Sequence, residues 1–259
     1  MSNFDRNYAT GVGAGRAVAI DAGLRAYMLR VYNYMAAGVA LTGVAAWLAY
    51  QLAGGDAIHI VGGRLVGATS FGLLVYNPIF QLLLFFGTFG IVWYVSARIN
   101  RMEASSAFAV FLVYAALLGV FLSSIFLVYV HASIVRVFFI SAASFGALSL
   151  YGYSTQRDLA PFGAFLVMGL FGLFAAILVQ MVLGLFGVSS SAFDFVISVG
   201  GVLIFAGLTA WDTQRIKEMY SAMDDGTVAG RKAVMGALSL YLDFINLFLF
   251  MLRLFGDRR

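Results

Sequence analysis

Seven runs of apolar residues, at about 28–52, 77–97, 105–130, 133–153, 161–187, 192–213 and 233–255, constrain this chain more than anything else in it. Each is long enough for a helix to cross a hydrocarbon core about 30 Å thick, which takes roughly 20 residues at about 1.5 Å each. Backbone in lipid must satisfy its own hydrogen bonds, so a span is either a helix or part of a closed barrel. The runs lack the alternation of lipid-facing and lumen-facing residues that barrel strands need. The chain is 62% hydrophobic and 11% charged, with a mean hydropathy of +0.94. No soluble domain of this size needs that, and the class is an all-α integral membrane protein with seven transmembrane helices.

The linkers are mostly short, which favours a single seven-helix transmembrane domain over 28–256. The exception is 53–76, where Gly54, Gly55, Gly62 and Gly63 suit a segment lying at the membrane interface. Residues 1–27 are polar and glycine-rich, with Arg6, Arg16 and Arg25, and read as a mobile cytoplasmic tail. Gly11, Gly13 and Gly15 mimic part of a dinucleotide fingerprint, but no strand precedes them. The first run begins too late and is too long for a cleaved signal peptide.

Basic residues set the orientation. Four lie in the tail up to Arg30, followed by Arg98 and Arg101, then Arg157, then Arg215, Lys217, Arg231 and Lys232, which makes eleven on one side. The opposite loops hold only Arg64 and Arg136, so the N-terminus is expected inside. A full crossing by the last run leaves Arg253, Arg258 and Arg259 outside, against the rule. A partial or re-entrant last helix removes the conflict, and both arrangements stay open. The absence of cysteine excludes disulfides and thiolate chemistry. A net charge of +4, spread over loop ends, does not suggest a nucleic-acid partner, and two lone histidines, His59 and His131, do not make a metal site.

The last run, Val234 to Gly256, carries an aspartate near its middle. Gly236, Ser239, Asp243, Asn246 and Arg253 follow at spacings that place them on one helical face. A polar seam on an otherwise apolar span turns to other helices or to water, because an ionisable group in lipid is costly and usually functional. Asp212 ends the sixth run on the side where the seventh begins, so the two aspartates can approach each other. The plainer readings are an interfacial Asp212 paired with Arg215, and a protonated Asp243 hydrogen-bonded inside the bundle. Arg98, at the inner end of the second run, is on the same side as a counter-ion candidate. Asp194, Asp158 and His131 sit near run ends and read as loop or interface residues. An intramembrane aspartyl protease would need YD, GxGD and PAL motifs that are absent, so the chain is not expected to be an enzyme. Proton-coupled transport also uses buried carboxylates, but no inverted repeat or pair of broken helices supports it.

At ALSLYLDFINLFLFMLRLFG, residues 237–256, the sequence resembles the bacterial branch of the transmembrane Bax-inhibitor-motif family. The aspartate followed by the rest of DTQRIK at the end of the sixth run, and the seven-run layout over about 28–256, extend the resemblance. It implies six helices wrapped around the C-terminal one, in a multi-pass protein of the cell inner membrane. It further implies a pH-sensitive calcium leak, with a paired-aspartate sensor on Asp212 and Asp243 and a latch arginine on Arg98. Calcium ions and protons would then be its partners together with the lipid bilayer, with calcium as the permeant ion and no resident cofactor. Some bacterial members are linked to a membrane-bound ATP-dependent protease, which gives an alternative function as its modulator or binding partner. The chemistry of the seam agrees with the leak. Asp243 and Asn246, supported by Ser239, offer hard oxygen ligands for a transient calcium ion at Asp243. Two close carboxylates cannot both ionise cheaply, so a proton is shared and the titration belongs to the pair.

Overall fold

The computed structural model describes residues 3–259 except 62, 63 and 189, with backbone alone for 3–21 and 100. The order is α1 (Asn3–Ala53), β1 (His59–Val61), β2 (Arg64–Val66), α2 (Ser70–Val75), α3 (Pro78–Arg98), α4 (Ala104–Leu122), α5 (Ile125–Val128), α6 (His131–Ser154), α7 (Ala160–Leu185), α8 (Ser191–Glu218) and α9 (Gly226–Phe255). Among the described residues seven helices are long and apolar enough to cross a membrane, and each coincides with one of the seven runs. Helix starts follow local chemistry. Asn77 caps α3 by accepting from the amides of Ile79 and Phe80, with Pro78 as the first helical residue. Ser190 caps α8 through the amide of Phe193, and Asp225 caps α9 through that of Val228.

One sequence expectation changes at the N-terminal end. The backbone is helical from Asn3, where the sequence predicts a mobile tail over 1–27; Met1 and Ser2 lie outside the described residues. No proline interrupts that stretch, and its glycines weaken a helix without breaking it. The glycine-rich linker 53–76 folds into an antiparallel hairpin, with Ile60 opposite Leu65, followed by the short helix α2. Gly67 makes that turn back to α1 practicable. It has φ 80°, and a Cβ there would lie 2.0 Å from the Ala57 carbonyl oxygen.

The core is α9. In its most apolar window 67% of the residues are buried, against 33% or fewer in every other span. It packs against α1 and α4 on one side and α6 and α8 on the other, while α3 is carried on α4 and α7 on α8. The expected ring of six helices is therefore four around α9 with two attached outside. Tyr241, fully buried, donates or accepts a 2.6 Å hydrogen bond with Thr42 of α1 and meets Phe111 and Tyr114 of α4 edge-on. Phe244, one turn on, meets Phe138 and Phe145 of α6 in the same way. Small residues let backbones close up, since lipid supplies no hydrophobic drive between helices. At Gly152 a Cβ would lie 2.1 Å from the Ala210 carbonyl oxygen of α8.

The last helix is continuous over 30 residues, about 45 Å, which is long enough to cross and has no re-entrant break. Its final turn reaches the end of the bundle opposite the α8–α9 loop, and the arginines there are answered by acids. Arg253 pairs with Asp194, Arg136 with Asp257 at 2.8 Å, and Arg259 with Asp56 at 3.3 Å. The Tyr50 hydroxyl donates to Asp56 at 2.9 Å, and with Arg259 beside it the carboxyl is held below its ordinary value. The C-terminal strand of chain is tied down further by backbone hydrogen bonds, from Val130 to Asp257 and from Arg259 to Val128.

Candidate functional site

The antiparallel pair α8 and α9, joined by the short turn 219–225, brings Asp212 and Asp243 together. The approach is close because Gly236 of α9 faces Ile216 of α8, whose Cγ2 would lie 2.9 Å from a Cβ at that position. The two carboxyl groups lie close to each other across the seam between α8 and α9. Asp243 is 5% exposed, and its Oδ2 is buried with no donor from the protein. The Asp212 side chain is 13% exposed and lies at the edge of the pair, 3.8 Å from the Arg215 guanidinium. Arg215 in turn lies over the Trp211 ring at 5.5 Å. The pairing of Asp212 with Arg215, one of the two readings of Asp212, is thus present together with the pairing to Asp243.

Other side chains hold α8 in register at this depth. Thr213 is hydrogen-bonded to Ser149 of α6 at 2.9 Å, and Ser149 to Tyr32 of α1 at 2.6 Å. Gln214 accepts from the Leu159 amide and donates to the Arg157 carbonyl, fixing the α6–α7 loop. Lys217 donates to the Tyr153 carbonyl, and Lys232 pairs with Asp224 at 2.6 Å.

The seam on α9 does face α8, but its members do different things. Asn246 donates to the Leu242 carbonyl of its own helix at 2.8 Å, and Ser239 is partly buried. Arg253 binds Asp194 and Gln180 at the far end of the same seam. Asp194, read from sequence as a loop or interface residue, is therefore part of it, and Gln180 was not singled out at all. The signal for Asp194 lies in spacing. It precedes Asp212 by 18 residues, five turns at about 3.6 residues each, and so shares its face of α8.

Arg98 is not brought to the pair. It ends α3, which packs on α4, and its guanidinium lies 5.7 Å from the centre of the Tyr94 ring. The expected ion pair between Arg98 and Asp212 is not formed; Arg215, three residues from Asp212 on its own helix, takes that place.

Comparisons with known proteins fit this arrangement. A family model described as "Inhibitor of apoptosis-promoting Bax1" matches residues 24–259. The chain is similar to the inner membrane protein YbhL of Escherichia coli K12, at 41% identity over 240 residues, covering 92% of this chain and 94% of that one. It is 45% identical over 240 residues to protein RP147 of Rickettsia prowazekii, covering 92% of each. A protein of Caulobacter vibrioides is 40% identical over 264 aligned positions, the full length of both.

Proposed function

The chain belongs to the Bax inhibitor family of multi-pass membrane proteins, and from that premise we propose that it is a pH-sensitive calcium leak of the inner membrane. One observation carries the reading: two aspartates with their carboxyls side by side, one of them buried, in the seam between the two helices that hold the core together. With the proton between them the pair carries one negative charge at most and favours the close packing of α8 on α9. The carboxyl oxygens are hard ligands for a divalent cation that passes through the open arrangement. Acid changes the charge of the pair and so biases a bundle with two arrangements, of which only a minor one conducts. A single buried carboxylate pair with few other charges along its path suits slow leakage better than fast conduction.

The test is calcium flux into liposomes holding this protein alone. Flux that rises as the medium is acidified supports the leak. No flux at any pH, with the protein correctly folded, would overturn it and favour a modulator of a membrane protease.

The gate belongs to the same reading, and the arginine nearest the pair is Arg215. Arg215→Ala is expected to move the acid response of the flux toward neutral pH, because a cation 3.8 Å away holds Asp212 in its charged form. Arg98→Ala is expected to move it less. A larger effect from Arg98→Ala would restore the latch to the end of α3.

Orientation is part of the proposal, with the N-terminus and the α8–α9 loop in the cytoplasm, on the count of basic residues. Cysteine placed at Thr227 should then resist an impermeant thiol reagent in intact cells, while cysteine at Val61 reacts. The parent has no cysteine to confuse the readout. The reverse labelling pattern would invert the topology.

A further inference from the structure

Helices α1 and α6 both pack on α9, yet they do not close on each other. The Tyr32–Ser149 hydrogen bond ties them together, and beside it lies a crevice of about 610 Å³. It is lined by Arg25, Leu29 and Tyr32 of α1 and by Gly146, Ser149 and Leu150 of α6, among others. Its rims, Leu29 and Leu150, are 53% and 69% exposed, so it opens sideways, toward where lipid would be. Its lining includes a cation and no carboxylate, and among the described residues no acid pairs with Arg25. Arg25 stands three residues before the apolar run that begins at about 28, about 5 Å along the axis, which is headgroup depth. A second cation, Lys217, lies 5.1 Å from the ring of Tyr153, which also lines the crevice. A second crevice, of about 300 Å³ between Gly43 of α1 and Phe139 of α6, has no charged residue in its lining and so offers a headgroup nothing.

We infer that the crevice at Arg25 binds an anionic phospholipid, its phosphate on Arg25 and one acyl chain laid between Leu29 and Leu150 against Gly146. The chain fills apolar space that the helices leave open, and the arginine selects the charge of the headgroup. The site lies in the leaflet on the N-terminal side of α1. Through Tyr32, Ser149 and Thr213 an occupant touches the helix that carries Asp212.

Native mass spectrometry of the purified protein, titrated with phosphatidylglycerol or phosphatidylcholine of the same chains, tests this. Phosphatidylglycerol should bind about fivefold more tightly, the size expected for one basic residue near an anionic headgroup. Arg25→Gln should abolish that preference while leaving binding of the neutral lipid unchanged. Gly146→Leu should weaken both lipids, because a side chain there enters open space and occupies the crevice without meeting the protein. Equal affinities in the parent, a preference that survives Arg25→Gln, or unchanged binding in Gly146→Leu would each overturn the site.

Discussion

Asp243→Asn should lower calcium flux through the reconstituted protein about tenfold or more and flatten its acid response. The amide keeps the shape of the side chain and removes its charge, in a position 5% exposed where little solvent screens the difference. Two unit charges 4 Å apart at an effective dielectric near 20 interact by about 4 kcal/mol, before desolvation is set against them. A third of that is enough for a tenfold change in rate. The pH dependence fails for a separate reason. An asparagine donates its amide N–H to Asp212 permanently, so no proton has to be shared and acid finds no carboxyl pair to titrate. Flux is measured in liposomes across a range of pH, with the helical content of the variant compared with that of the parent. Parental flux with the parental pH profile, in a variant that folds normally, would remove Asp243 from the pathway.

The pair was legible in the sequence because helical spacing survives in a membrane. The seam on α9 repeats at three and four residues, and the α8 aspartate falls at the end where the next span starts. What spacing does not carry is which apolar face meets which. Lipid is as apolar as a helix core, so Trp93, Phe171 and Leu185, all highly exposed in the structure, read from sequence like Phe111 or Leu240, which are buried. The difference between six helices around α9 and four around it lies in that ambiguity. The conflict over Arg253, Arg258 and Arg259 had a similar origin. Arg259 finds Asp56 across 203 positions of sequence, a pairing that no local pattern signals, and Arg253 finds Asp194 on α8. Falling at the same end of the bundle does not pair Arg98 with Asp212: α3 rests on α4, and the chain turns onto α9 only after Arg98, at 99–101.

Gly152→Leu and Gly146→Leu, the same substitution less than two turns apart on α6, should have opposite effects on stability. At Gly152 the new Cβ would sit 2.1 Å from the Ala210 carbonyl oxygen and 2.9 Å from its carbon. These are backbone atoms of a helix, with no rotamer to turn aside, so α6 and α8 must separate. Overpacking of that kind costs about 1–3 kcal/mol, and the rigid obstacle puts this site at the upper end or beyond it. The separation also lengthens the 2.9 Å bond between Ser149 and Thr213 and displaces the turn of α8 that carries Asp212. At Gly146 nothing lies within 4 Å of the Cβ, and replacing a helical glycine there gains about 0.8 kcal/mol of helix propensity. Thermal unfolding in one detergent should therefore give a midpoint well below the parent for Gly152→Leu and one at or above it for Gly146→Leu. In liposomes Gly152→Leu should also perturb the flux, since the α8 carboxyl no longer meets its partner squarely. Equal midpoints for the two variants would mean that α6 and α8 do not approach through Gly152, and that the register holding Asp212 against Asp243 is set elsewhere.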